Sequence, residues 1–585
     1  MKTTYKKIAI ILTAVMAASV FTGCGNEKKE TDNSGYTENE TTAADEAAGE
    51  TGAFSPEISY EDGGGEKKTA ESEDICAEDS VDGESYNEEY VMTDSADCLV
   101  PDDPYDPYGE PSMEPYGETY EKPAENSFCK TKNEPLSTFS ADVDTASYAN
   151  IRRMIQDGYS LDMIPAEAVR PEEFINYFSY DLNLPKNGDK FGITTEIAKC
   201  PWNAKHDLML VGMRTEAIDL SEAPDSNLVF LLDISGSMDE PDKLPLLKEA
   251  FIQLVDELDE KDTVSIVTYA SGVDTVLSGA RGSEKEKIKD AIDSLFAGGG
   301  TNGEDGIQRA YQQAEKYFIK GGNNRVILAT DGDLNIGIST PEELKKFITE
   351  KKEKGVYLSV LGFGTGNLND VNMESLADYG NGNYSYIDSV FEARKVLVEE
   401  LGSTLVTVAD DVKLQVEFNP QTVGAYRLIG YENRQMEASE FRDDKKDAGE
   451  IGAGHTVVAL YELVPAGSEE DVPLKYQKKE EQTPAAKDVF EDEYATVSVR
   501  YKEPGGSTAK EFSFAADKKF YTERPNDDFK FASAVAEFAL VLSDSSEKQD
   551  ASLEQVLDIC QGISKKDEYK NEFYYLVKQL AGNHK

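Results

Sequence analysis

Three histidines in 585 residues are too few for a histidine-built zinc centre and leave little for a Ser-His-Asp relay. Cysteine is scarce as well: six, at positions 24, 76, 98, 129, 200 and 560, with no CxxC pair for metal or redox work. Past residue 21, no stretch reaches the ~18 unbroken apolar residues that a membrane-spanning helix needs. Positive charge is short too. Lys plus Arg number 59 against 113 Asp plus Glu, a formal net charge of −54. That sign repels nucleic-acid phosphates and anionic lipid surfaces, so neither is an expected partner. The glycine-rich "GGGTNG" at 298–303 lacks the GK[ST] that would hold a nucleotide phosphate, and no small-molecule substrate is evident.

What the chain does have is unevenly spread. Residues 31–120 hold 27 Asp plus Glu, two Lys and no Arg, a net −25. With few aliphatic side chains, that stretch cannot bury enough apolar surface to offset chain entropy, so an acidic, disordered tether is expected over 24–134. "DPYGEP" and "EPYGET" form a weak repeat within it. Ahead of the tether, Lys2, Lys6 and Lys7 precede the apolar run "IAIILTAVMAASVF". The run then meets "FTGC", with Phe21 where Leu is usual. This is a targeting segment, and its end resembles a bacterial lipobox. The resemblance implies a signal peptide over 1–23, a lipidated Cys24 as mature N-terminus, and a membrane attachment through that lipid. The five other cysteines are odd in number and widely spaced, so they do not complete a disulfide framework.

Residues 135–225 read as two short helices followed by the strands "FGITTEIAKCPW" and "DLMLVGMRTEAI", with the single tryptophan, Trp202, between them. Over 226–401 the period alternates between continuous apolar strands ("NLVFLLD", "TVSIVTYA", "RVILAT", "VYLSVLGFG", "YSYI") and amphipathic helices. That alternation predicts a doubly wound α/β unit with a mostly parallel sheet covered on both faces. Residues 402–585 read as antiparallel strands, then three helices. A lone hairpin is marginal in water, so the strands of 191–215 are expected to pair with strands of 405–516. That pairing would make one β-sandwich with the α/β unit inserted.

In such a sheet, ligands sit beyond the carboxyl ends of the strands. There the sequence places Asp233, Ser235 and Ser237 in "DISGS", Thr301 in "GGGTN" and Asp331 in "ATDG". Hydroxyls and carboxylates suit a hard cation that seeks six oxygens near-octahedrally. Across 331–342, "DGDLNIGISTPE" puts acids at some EF-hand positions. However, Ile336 stands where the loop needs glycine, and a strand precedes it instead of a helix. The three segments together resemble the metal-ion-dependent adhesion site of von Willebrand factor type A domains. The resemblance implies Mg²⁺, with Mn²⁺ or Ca²⁺ possible. Ser235, Ser237 and Thr301 would ligate directly, and Asp233 and Asp331 largely through water. The flanks ("FSADVDTASYANIRRMI", "EFINYFSYD", "GAGHTVVALYEL", "DFKFASAVAEFALVL") resemble a bacterial lipoprotein family. That family joins a von Willebrand A core to its own N-terminal segment and a C-terminal domain of unknown function. The expected role is therefore a lipid-anchored surface protein, not an enzyme. It would bind a protein ligand that offers a carboxylate, in adhesion or envelope scaffolding. The rival expectation is a metal-assisted hydrolase or an activity of the C-terminal domain.

Overall fold

The computed structural model describes residues 117–583, apart from 122–123, 142–143, 187, 219–222, 333–340, 367, 469–489 and 491. The expected signal peptide, Cys24 and most of the expected acidic tether lie outside the described residues.

Sixteen described strands form three sheets. β1 (Cys129–Lys130), β2 (Leu136–Ser140), β3 (Phe191–Cys200) and β4 (Asn203–Thr215) precede the α/β unit. β5 (Ser226–Asp233), β6 (Thr263–Tyr269), β7 (Val273–Arg281), β8 (Asn323–Thr330), β9 (Tyr357–Phe363) and β10 (Tyr384–Ile387) lie within it. β11 (Thr407–Phe418), β12 (Val423–Leu428), β13 (Gly449–Gly452), β14 (Thr456–Pro465), β15 (Glu493–Lys502) and β16 (Ala509–Asp517) follow.

The sandwich is the predicted one. Its inner sheet runs β1-β12-β14-β4-β3, and its outer sheet runs β13-β11-β15-β16 with β2 also on β11. β4 pairs antiparallel with β14, Leu208 opposite Glu462 and Val211 opposite Ala459. Alternate residues of these two strands enter different cores. Met209, Val211, Val457 and Ala459 face the outer sheet. Leu208, Leu210, Val458 and Leu460 face a helical layer built from Ala146–Gln156, Pro171–Asn176 and the C-terminal helices. Burial on both faces is why "DLMLVGM" alternates so weakly. β15, open to solvent on one side, alternates cleanly: Ala495, Val497, Val499 and Tyr501 are buried and their neighbours are not.

The α/β unit is an insertion in this sandwich. Its chain enters at Glu216, whose carbonyl accepts from Gly454 N at 3.1 Å, and leaves at Val406, whose carbonyl accepts from Ala453 N at 2.9 Å. Two adjacent residues of the β13–β14 turn thus hold both ends. The inserted sheet runs β10-β9-β8-β5-β6-β7. All neighbours are parallel except β7, which folds back antiparallel on β6. β5 is buried at every position because helices cover both faces. β7 was not expected. It is a half-exposed edge strand without a continuous apolar run, and no element is assigned there from the sequence.

One boundary is corrected. Composition put everything up to 134 in the tether, yet the described chain already makes directed contacts from Glu118. Thr119 N donates to Leu368 O at 3.0 Å. Glu118 pairs with Arg153 at 3.0 Å. Asn126 Nδ2 donates to the carbonyls of Leu428 and Gly430. A few directed polar contacts anchor these residues, and an average over composition does not register them. Among the described residues, no helix is long and apolar enough to cross a membrane. Cys129, Cys200 and Cys560 are free thiols.

The helix Asp527–Leu542 is apolar enough to form the centre of the helical layer, but it carries Glu537, fully buried. One carboxyl oxygen accepts from Ser552 N at 3.0 Å; the other has no hydrogen-bond partner among the described residues. Burial pushes this carboxyl up to about 7. The folded chain therefore keeps a proton that the unfolded chain releases above about pH 4.5. Stability from this group is present below that pH and is lost as pH rises toward 7. Glu537→Gln should leave stability unchanged at pH 4 and raise it at pH 8 by up to roughly 3 kcal/mol. Urea denaturation at the two pH values checks this, and an equal gain at both would sink it.

Candidate metal centre

β5 and β8 are neighbouring parallel strands, and both end at the same edge of the inserted sheet. Asp233 closes β5 and Asp331 directly follows β8. The loop at 298–302 is tied to the "DISGS" turn by backbone bonds. Gly298 N donates to Ile234 O at 2.8 Å and Gly236 N to Gly299 O at 3.0 Å. Gly300 N donates to Ser271 Oγ at 2.7 Å. Gly299 has φ +88°, and a Cβ there would lie 2.7 Å from Ser271 Oγ, so the loop's approach requires glycine at that point. These ties bring Thr301, half-buried, to the same edge as the other four residues.

The hydroxyls of Ser235 and Ser237 lie 3.1 Å apart. Adjacent ligands of an octahedral Mg²⁺ at ~2.0–2.1 Å are separated by about 2.9 Å, so the two are spaced like one edge of that octahedron. Asp233 is fully buried. Its Oδ1 accepts from Ser235 N at 2.9 Å and its Oδ2 from Thr330 Oγ1 at 3.0 Å. Each oxygen retains a lone pair for a further donor or a water. Burial holds this carboxyl above the usual range and the nearby Asp331 charge adds to that, while the bonds from Ser235 and Thr330 oppose it. Burial, with Asp233 close by, also pushes the Tyr269 phenol well up. Two acids and three hydroxyls, without thiol or imidazole, form a donor set that suits a hard divalent cation.

All five predicted residues therefore meet at one edge. Thr330 and Lys243 also belong to the arrangement, and sequence reasoning assigned them no role. Lys243 Nζ donates to Asp331 Oδ2 at 3.0 Å, with both side chains buried. Thr330 is legible only as the residue before Asp331. Lys243 stands within the same "DISGSMDEPDK" stretch but needs the fold to bring it back.

A doubly wound insert with these donors defines a von Willebrand factor type A domain protein. The chain matches "von Willebrand factor type A domain" over residues 227–400 and "von Willebrand factor" over 114–210. Residues 403–582 match "Uncharacterized protein YfbK, C-terminal". The chain belongs to the YfbK family. It is 40% identical over 473 residues to the uncharacterized protein YfbK of Escherichia coli K12, covering 79% of this chain and 81% of that protein. It is also similar to human inter-alpha-trypsin inhibitor heavy chain H3, 29% identical over 192 residues, 31% of this chain and 21% of that one. Among solved structures, a von Willebrand factor type A protein from Catenulispora acidiphila aligns at 17% identity with a TM-score of 0.38. That alignment covers 68% of this chain and 91% of the other.

Proposed function

We propose that this is a lipid-anchored protein on the extracytoplasmic face of a bacterial membrane, which binds a protein partner through a divalent ion. Ser235, Ser237 and Thr301 would hold the ion directly, with Asp233 and Asp331 acting largely through water. Mg²⁺ is the expected ion, and Mn²⁺ or Ca²⁺ could replace it. Bound there, the ion offers a Lewis-acidic position that a carboxylate of the partner can fill. The observation that carries the reading is the octahedral-edge spacing of Ser235 and Ser237 beside two buried acids at the end of a parallel sheet. Phe296, 80% exposed and two residues before the Gly298 tie, gives an apolar contact close to the site. Exposed Asp239, Glu240 and Asp305 flank the same loops. Their charge disfavours a polyacidic ligand and favours a single acid set among apolar or basic side chains.

Proximity labelling on intact cells tests this. Partners labelled by the wild-type chain in Mg²⁺ should be lost with Asp233→Ala and with chelator. Turnover of a generic ester or phosphate panel by the purified chain, abolished by Asp233→Ala, would favour a hydrolase instead. Attachment has its own test. Cys24→Ser should release the chain into the soluble fraction, because acyl chains supply ~0.8 kcal/mol per buried CH₂ and the net charge is repelled by anionic lipid. A variant that stays on the membrane through a high-salt wash would show that another element holds it.

A further inference from the structure

We propose that Lys243 is a built-in counter-cation of this site that trades affinity for the metal against affinity for the acidic ligand. The inference rests on the metal-site reading above. Lys243 is 5% exposed, and lysine is rarely buried that far unless paired. It also caps the start of the 14-residue helix Leu244–Glu257, where the helix dipole disfavours a cation. Among the described residues, an acid and a slot in the backbone help hold it there against those costs. Its ammonium donates to Asp331 Oδ2 at 3.0 Å. Its stem lies in a slot left by Gly364, just past β9, where φ is +71° and a Cβ would stand 2.3 Å from Lys243 Cγ. The slot and the acid together fix a positive charge beside the five oxygen donors.

The consequence follows from charge. Asp233 and Asp331 alone would neutralise a divalent ion. With Lys243 these three side chains sum to −1, and a divalent ion leaves the group at +1. The ion is therefore held less tightly, and the loaded site has more charge with which to take a carboxylate. Lys243 is thus a positioning and charge-setting residue, not a ligand.

The test is a calorimetric titration of Mn²⁺ into the full chain, wild type beside Lys243→Met, Lys243→Gln and Lys243→Arg. Lys243→Met and Lys243→Gln should bind Mn²⁺ about tenfold tighter, about 1.4 kcal/mol, and Lys243→Arg should stay near wild type. Gln keeps a hydrogen-bond donor for Asp331 and covers the case in which Met does not fold. On the Mn²⁺-loaded proteins, acetate should displace metal-bound water at lower concentration in wild type than in Lys243→Gln, read by water-proton relaxation. Unchanged or weaker Mn²⁺ binding in the neutral variants overturns the inference, as does equal acetate sensitivity. No Mn²⁺ binding by the wild type overturns the metal-site reading itself.

Discussion

Arg152→Met is expected to lower the unfolding free energy by about 3–5 kcal/mol, the range for removing one partner of a buried ion pair. Arg152 lies on the helix Ala146–Gln156 and is 1% exposed. Its Nε and NH2 engage both oxygens of Asp388, at 2.7 and 2.5 Å. NH2 also reaches Glu392 at 2.7 Å, and NH1 reaches Tyr177 at 2.7 Å and Glu572 at 3.3 Å. Asp388 and Glu392 belong to the end of the inserted domain, Tyr177 to the N-terminal segment and Glu572 to the last helix. One guanidinium therefore joins three parts of the chain that are distant in sequence. The apolar replacement leaves two carboxylates buried without it. Glu392, already raised by burial, then also loses Arg152, the stronger of the two cations that oppose that rise, and keeps only Lys395. Lowering the pH should recover part of the loss by protonating the stranded acids. Urea denaturation checks the prediction, and a loss under about 1 kcal/mol would show that the domain contact does not depend on this cluster. The same clamp separates this protein from an adhesion domain on a loose linker. Both ends of the insert are bonded to one turn of the sandwich, and its last helical segment is bonded to the helical layer.

Much of this was legible in the residues, for identifiable reasons. β5, β6, β8 and β9 are buried through most of their length, so each is a continuous apolar run between amphipathic helices. Asp233, Ser235 and Ser237 are local to one turn, and the glycines around Thr301 announce a close approach. The sandwich was inferred from the instability of an unpartnered hairpin, although nothing in the strand itself fixes Leu208 opposite Glu462. What stayed hidden depends on contacts between distant residues. β7 is an edge strand whose partner lies on one side only. Glu118 reads as one more acid of the tether until Arg153 is brought to it. Lys243 has no role until the fold brings Gly364 and Asp331 around it.

Asp233→Ala should abolish divalent-ion binding while leaving the fold intact. The residue sits at the end of β5, where its side chain faces the site and not the apolar core. Its removal costs Ser235 N and Thr330 Oγ1 an acceptor, a loss of about 1–3 kcal/mol for such buried donors. Against that, the buried carboxyl is already unfavourable: burial and Asp331 both raise it, and Ser235 N and Thr330 Oγ1 are neutral donors. The two effects oppose each other, so the metal-free variant should unfold within about 1–2 kcal/mol of wild type. The metal response should differ far more. An ion that binds only the folded chain stabilises it by RT ln(1 + [M]/Kd), about 2.7 kcal/mol at a hundredfold excess over Kd. Wild-type protein should therefore melt at a higher temperature as Mg²⁺ or Mn²⁺ is added, and the variant should not move. Calorimetric titration should give at least a hundredfold weaker binding in the variant, because one of two charges that compensate the ion is gone. A variant that binds Mg²⁺ like wild type would falsify the assignment of Asp233. A variant that fails to fold would show instead that the β5 end is part of the core. Asp233→Asn, which keeps the shape and the acceptor oxygen, would then separate the role of the charge from the role of the side chain.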